Sequence, residues 1–326
     1  MSEHPRDRFD LIADTQAEEA FLEALDRGRL HHAWLLCGVE GSGKASFAYR
    51  AARRLLGAAP DPSRGPLGAA PHDPVSRLVS AQAHPDLLVL ERAVEGGKLK
   101  RTISVDQARG LPEFFAKSPS QARHRVAIID AADDLNINAA NALLKILEEP
   151  PESGVLFLVT HAPGRLLATI RSRCRRLAFP VWSEDRLADL VRDRAGTSSH
   201  EAAEAARMAG GSPGAALELA SGAMAEVDRL ARAWVDGPVI DRAEQLAVAD
   251  GFRGAEGQAR FEALMDRLIA AVKRRAVESG GREGARWAEL WGRLSELPDR
   301  AAGLNLDKGD VLAGALADIS RTKAAA

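Results

Sequence analysis

A chain of 326 residues has room for two or three domains, and with 46% hydrophobic and 28% charged residues it sits with ordinary globular proteins, which excludes a disordered, collagen-like or coiled-coil chain. The formal net charge is −2, divided at Pro180 into +2 (24 basic, 22 acidic) before it and −4 (20 basic, 24 acidic) after it, so neither part is a basic arm for nucleic acid. Two cysteines exclude a disulfide framework and a four-thiolate zinc site, and no apolar leader or membrane-length apolar run occurs, so the expectation is a cytoplasmic protein in a reducing compartment.

In chain order, residues 15–29 carry Ala20, Phe21 and Leu25 at helical spacing, and 32–37 reads as a short buried strand. A Gly-rich turn follows, and 46–56 places Phe47, Ala48, Ala51, Leu55 and Leu56 on one helical face, completing a strand, loop and helix unit. Residues 57–76 are dense in Pro, Gly and Ala without periodicity, which predicts a surface excursion outside the core. Residues 86–91 are strand-like, and Ser104 is the N-cap of a helix predicted to run to Phe115. Residues 125–130 form an apolar strand ending in Asp130. Residues 138–149 form a helix that buries Leu143, Leu144, Ile146 and Leu147 and stops at Pro150 and Pro151. Strands are predicted again at 154–160 and 175–179.

Apolar strands alternating with amphipathic helices predict an α/β domain with a mostly parallel sheet, helices on both faces, and ligands bound at the C-terminal strand ends. Beyond Pro180 everything reads as helix, at 184–194, 199–208, 214–220, 226–234, 256–278, 282–294 and 309–320, with a Gly-Gly-Ser-Pro-Gly turn at 210–214. The expected division is a nucleotide-binding domain at 1–180, a small helical lid at 181–221 and an all-α domain at 222–326.

The run Gly-Val-Glu-Gly-Ser-Gly-Lys-Ala-Ser at 38–46 lies between strand and helix, the context that gives a phosphate-binding loop its meaning. Gly38, Gly41, Ser42 and Gly43 offer backbone N–H groups, the helix start adds a positive dipole, and Lys44 reaches terminal phosphates. The next position should hold a hydroxyl for Mg²⁺ and is Ala45. Ser46 does not substitute simply, because one residue along a helix turns the side chain by about 100°. Asp130 is the carboxylate type that holds a Mg²⁺ shell, yet a hydrolase would keep a Glu beside it where Ala131 stands. Such a loop is expected to hold a nucleotide and to hydrolyse it poorly. Thr160 ends a strand where a hydroxyl can sense a γ-phosphate, while Asp133 and Asp134 read as charges at a helix start. The run 171–176 contains four arginines, either a solvated face or a guanidinium offered to a neighbour's phosphates. Cys37 and Cys174 read as small buried hydrophobes, His31 and His32 as structural residues, and Trp234, Trp287 and Trp291 as packing residues.

As a set, Leu-His-His-Ala-Trp-Leu at 30–35, the loop at 38–46, Val-Ala-Ile-Ile-Asp-Ala-Ala-Asp at 126–133, Asn-Ala-Ala-Asn-Ala-Leu-Leu-Lys-Ile-Leu-Glu-Glu-Pro-Pro at 138–151, Leu-Val-Thr-His-Ala-Pro at 158–163 and Arg-Ser-Arg-Cys at 171–174 resemble the bacterial clamp-loader AAA+ subunits, their delta prime branch most closely. The resemblance extends through Gly-Ser-Pro-Gly-Ala-Ala-Leu at 211–217; the last hundred residues fit only by their helical character. It implies an AAA+ domain, a lid and a helical collar. It also implies membership of a ring with gamma/tau ATPase subunits and delta, which loads the sliding clamp (beta) on primed-template DNA, away from any membrane. By the same resemblance Arg173 is an arginine finger acting in trans, Thr160 is sensor-like, and ATP or ADP occupies Gly38, Gly41, Ser42, Gly43, Lys44, Ala45, Ser46 and Asp130 with Mg²⁺ weak or absent. The four-cysteine zinc module of many such subunits has no counterpart here, so zinc is not expected. Ala215 stands where an active subunit places a lid arginine. A stand-alone AAA+ ATPase or a gamma/tau-type subunit, with Ser46 and Asp133 or Asp134 rescuing the site, stays open as the alternative. A small-molecule P-loop kinase is disfavoured, since nothing in the helical half suggests an acceptor pocket.

Overall fold

The computed structural model describes residues 4–10, 15–95, 98–100, 102–220, 223–237, 241–253, 257–304 and 306–324. They form two compact units, Met1–Leu217 and Glu218–Ala326. The boundary expected at 221/222 and the first residue of the helix expected at 256–278 lie outside the described residues.

The first unit opens with α1 (Thr15–Asp26), β1 (Ala33–Cys37), α2 (Lys44–Leu56) and α3 (Pro74–Ser80), then β2 (Leu87–Glu91) and a hairpin of β3 (Val94–Glu95) and β4 (Lys98–Leu99). Next come α4 (Val105–Ala108), α5 (Gly110–Ala116), β5 (Arg125–Asp130), α6 (Ile137–Glu148), β6 (Gly154–Thr160), α7 (Ala168–Arg171) and β7 (Arg175–Ala178). The five long strands make one parallel sheet in the order β2-β5-β6-β1-β7. Both faces are covered, and period-two alternation sorts the side chains. Trp34, Leu36, Val126, Ile128, Phe157 and Val159 pack with Phe21 of α1 and Phe47 of α2. Leu35, Cys37, Ala127, Ile129, Leu156 and Leu158 pack with Leu111 and Phe115 of α5 and Leu143, Ile146 and Leu147 of α6. Burial on both faces explains why these strands read as continuous apolar runs.

Two expectations are corrected here. Residues 57–76 are partly core: Ala58, Leu67 and Ala69 are buried, Pro60 bridges Ala69, and Asp73 caps α3 while accepting from Ala59 N–H at 3.2 Å. Tertiary partners hold this segment, so it has no periodicity to detect. The helix expected from Ser104 to Phe115 is two helices: Ser104 and Gln107 form a capping box on α4, and α5 starts again at Gly110. Pro112, which has no N–H to give the Ala108 carbonyl, accounts for the break.

After β7 come α8 (Glu184–Ala195), α9 (Ser199–Met208) and α10 (Pro213–Ala220). The second unit contains α11 (Ala223–Asp236), α12 (Arg242–Asp250), α13 (Gly257–Ser279), α14 (Gly281–Leu304) and α15 (Lys308–Ala324), around a core that includes Trp234, Phe261, Met265, Leu268, Trp287, Leu290, Leu312 and Ile319. Helix α12 buries no residue, so it carries no apolar stripe for periodicity to find; Asp241 caps it and Glu244 accepts from Trp234 Nε1 at 2.7 Å. Helix α14 runs through Pro298, ten residues past its expected end at 294, because Leu294 and Ala301 on either side of the proline are both core residues. Trp234 and Trp287 are buried, whereas Trp291 is 37% exposed beside Lys273. Among the described residues no strand follows β7, and no helix is long and apolar enough to cross a membrane.

Candidate phosphate-loop site

The parallel register brings four strand ends to one edge: Cys37 of β1 opposite Thr160 of β6, and Glu91 of β2 opposite Asp130 of β5. The loop at 38–43 leaves β1 there and enters α2. Gly41 and Gly43 adopt φ of +71° and +91°, a region that L side chains rarely enter. A Cβ on Gly38 would stand 2.6 Å from the Phe179 carbonyl oxygen, so this glycine is required by close packing instead.

Lys44, the first residue of α2, is buried and turned onto its own loop. Its Nζ donates to the carbonyls of Gly38 at 2.8 Å and Val39 at 2.5 Å, and lies 3.3 Å from Ser42 Oγ. Burial lowers its pKa to about 8, against the opposing pull of Asp130. The loop is also tied to the start of α10 and the residue before it. Ser212 Oγ donates to the Glu40 carbonyl at 2.7 Å, and Gly214 N–H donates to the Gly41 carbonyl at 2.9 Å. A Cβ on Gly41 would come within 2.5 Å of Ser212 Oγ, and one on Gly214 within 2.9 Å of the Gly41 oxygen. Ala215, one residue further, donates its N–H to Ser212 Oγ at 3.2 Å.

Ala45 packs partly buried against the core on the α2 side of the sheet. Ser46 lines a cleft with Arg8, Asp10, Glu18, Arg50, Pro213 and Gly214, and neither Lys44 nor Asp130 lines that cleft.

Asp133 lies in the first turn of a 3-10 helix at Ala132–Asp134, in keeping with the reading as a helix-start charge, and it also fastens the end of β6. It accepts from Thr160 Oγ1 at 2.9 Å, His161 N–H at 2.6 Å and Ala162 N–H at 3.1 Å. Thr160 is fully buried, so its hydroxyl is committed to this bond. Asp134 pairs with Arg92 at 3.2 Å. Neither carboxylate is a free substitute for the missing glutamate. Arg173 lies beyond the C-terminus of α7, 35% exposed, bonded to Glu148 at 2.9 Å and to the Thr169 carbonyl at 3.1 Å. The site thus assembles the loop, Lys44, Asp130 and Thr160, while Arg173 sits apart on an exposed edge. Sequence reasoning missed Ser212, Glu148 and the bracing role of Asp133; only the Gly-Ser-Pro-Gly run at 211–214 signalled the first of these. Among the described residues no cluster of His, Cys, Asp or Glu could hold a metal ion.

Burial, reinforced by Glu91, pushes the Asp130 pKa up to about 6. A raised carboxylate pKa means that the folded protein holds its proton to higher pH than the unfolded chain does. Stability is therefore lost as pH rises from about 4 through 6. Asp130→Asn is expected to remove this loss and to raise stability at pH 7 by about 1–2 kcal/mol, after discounting for partial exposure. Urea midpoints at pH 4 and pH 7 check it; an equal pH response in both proteins would show that Asp130 is not the group responsible.

The family model described as DNA polymerase III, delta subunit, matches residues 13–183. DNA polymerase III subunit delta' of Pseudomonas aeruginosa is 39% identical over 155 residues, 48% of this chain and 45% of that protein. Subunit delta' of Escherichia coli K12 is 38% identical over 205 residues, 63% of this chain and 59% of that protein. Subunit gamma/tau of Mycobacterium bovis is 39% identical over 156 residues, 48% of this chain and 25% of that protein. The chain thus spans about half the length of the delta' relatives it matches. A solved gamma subunit-related protein of Thermotoga maritima superposes with a TM-score of 0.44 and 18% identity, covering 93% of this chain and 99% of that one. The matched span runs from just before α1 to the start of α8 and contains the whole parallel sheet and its phosphate loop; the chain belongs to the DNA polymerase III delta-subunit family.

Proposed function

We propose that this chain is the delta prime subunit of a DNA polymerase III clamp loader, a rigid assembly subunit that supplies Arg173 in trans to a neighbouring ATPase subunit. The observation that carries the reading is the internal satisfaction of the phosphate loop. Lys44 is bonded to Gly38 and Val39, and the carbonyls of Glu40 and Gly41 are bonded to Ser212 and Gly214. A loop that works as a structural joint has no need of hydrolytic residues, and Ala45, Ala131 and Ala215 stand at their positions.

On this reading the subunit has an AAA+ domain at 1–180, a lid at 181–221 and a collar at 222–326, and works in the cytoplasm with gamma/tau, delta, the sliding clamp and primed DNA. ATP or ADP fits the loop only in part. The N–H groups of 41, 43 and 44 and the start of α2 suit a phosphate, but Ser42 N–H already donates to the Val39 carbonyl at 3.3 Å, Lys44 would have to leave three acceptors, and no hydroxyl stands at position 45 for Mg²⁺. Bound nucleotide would therefore be a weakly held structural ligand, with zinc absent. The chain's own residues would orient phosphate through backbone N–H groups and exclude water through Ser212 and Gly214.

The test is ATP turnover by the pure chain, then by its mixture with gamma/tau, delta, clamp and primed DNA. No turnover alone, with restored loading activity in the mixture, is the expected result. Rapid Mg²⁺-dependent hydrolysis by the pure chain, abolished by Lys44→Ala, would overturn the proposal in favour of a stand-alone ATPase.

A further inference from the structure

Between β6 and β7 the chain crosses residues 161–174, the segment that carries Arg173. Its α-helix, α7, is a single turn, too short to hold a position by its own hydrogen bonds. Leu166 and Ile170 anchor the middle of the segment in the core shared with α6. Its entry is gripped by Asp133, which accepts from the Thr160 hydroxyl and the Ala162 N–H on Oδ1 and from the His161 N–H on Oδ2, three donors from consecutive residues. From there the register passes on in short steps. The Ala162 carbonyl accepts from Arg165 N–H at 2.9 Å, Arg171 Nη1 donates to the Pro163 carbonyl at 3.2 Å, and Arg173 Nη1 donates to the Thr169 carbonyl at 3.1 Å.

From this chain of contacts we infer that Asp133 is a positioning residue for Arg173: by gripping the entry to 161–174 it sets where the backbone bearing that arginine leaves the sheet. The inference rests on the reading of Arg173 as a finger acting in trans. Asp133 lies shortly before Asn136, which caps α6 by accepting from Ala139 N–H at 2.8 Å. Helix α6 and the segment are thus tied at one end by Asp133 and at the other by the Glu148–Arg173 pair. The pair joins two partly exposed side chains and opens without moving the backbone. The bonds of Asp133 are charge-assisted, and two of them hold main-chain N–H groups. A carboxylate that only braced the strand end would need Thr160 alone, whereas His161 and Ala162 lie beyond the strand, in the segment itself. A group that must reach a neighbour's phosphates tolerates little misplacement, since about 1 Å costs up to about 10²-fold in rate.

Asp133→Asn keeps the side-chain volume and one acceptor oxygen but replaces the other with a donor, so it cannot hold all three partners. Single-turnover ATP hydrolysis by the complex with gamma/tau, delta, clamp and primed DNA is compared for the unsubstituted chain, Asp133→Asn, Arg173→Ala and the double variant. Asp133→Asn is expected to slow turnover about 10-fold while Arg173 is present and to add nothing once Arg173 is alanine, with gel filtration showing the complex intact. In the free chain, amide exchange is expected to quicken over 161–173 and to stay unchanged in β1 and β5. Asp133→Glu, which keeps the charge one methylene further out, takes the same place in the cycle if Asp133→Asn does not assemble. Slowing by Arg173→Ala alongside normal turnover of the Asp133 variant, losses that multiply in the double variant, or unchanged exchange over 161–173 would overturn the inference and leave the finger role standing. Unchanged turnover with Arg173→Ala would overturn both.

Discussion

Arg173→Ala is expected to leave the fold and subunit assembly unchanged and to slow ATP turnover at the facing site of the reconstituted complex by a factor of roughly 10³, the lower end for an arginine finger. The side chain is 35% exposed on the edge that follows α7, so its removal opens no core cavity. In the free chain it is bonded to Glu148, itself 52% exposed. Opening such a surface pair costs no more than about 1 kcal/mol, whereas a factor of 10³ corresponds to about 4 kcal/mol of transition-state stabilisation. On the proposed finger role, the intrachain pair is a resting position that a neighbour's phosphate would displace. Glu148→Gln is a useful companion, since it frees the guanidinium without removing it and should leave turnover at or above the unsubstituted level. Single-turnover hydrolysis with gamma/tau, delta, clamp and primed DNA is the measurement. Unchanged turnover with Arg173→Ala, in a complex shown by gel filtration to be intact, would remove the finger role.

The largest loss of stability is expected from Glu18→Ala. Glu18 and Arg50 are almost wholly buried and joined by two bonds, from Arg50 Nε at 2.5 Å and Nη2 at 3.1 Å. Glu18 also accepts from Leu67 N–H at 3.0 Å, and Arg50 donates to the carbonyls of Phe9 and Arg64. One ion pair thus fastens α1, α2, the segment before α1 and the loop at 57–70. Removing the carboxylate alone leaves a buried guanidinium without its counter-ion, a change of about 3–5 kcal/mol, whereas replacing both partners with apolar residues of similar volume costs far less. Urea denaturation of Glu18→Ala and of the double variant Glu18→Met/Arg50→Met should show this order, with faster amide exchange at Leu67 in the first. A loss below about 1 kcal/mol for Glu18→Ala would mean that water reaches the pair.

Local pattern determined the sheet. β1, β5 and β6 are buried on both faces, so their sequences are uninterrupted apolar runs, and α2 and α6 carry stripes that any helical period reveals. The loop at 38–46 was equally legible, because glycines at positive φ, a lysine and a flanking strand and helix are local requirements. Ala45 and Ala131 could be read beside the loop lysine and the strand-end aspartate one position at a time, whereas Ala215 gained its meaning only from the family resemblance. What the sequence could not determine is where polar groups go. Lys44 folding back on Gly38 and Val39, Asp133 bracing Thr160, and Ser212 and Gly214 closing on Glu40 and Gly41 each join residues between five and 173 positions apart. Burial of Leu67 under the Glu18–Arg50 pair and continuation of α14 through Pro298 are of the same kind. Helix and strand preferences act over a few neighbouring residues and leave a period. A buried hydrogen bond or ion pair is chosen by desolvation, which exists only once the chain has packed.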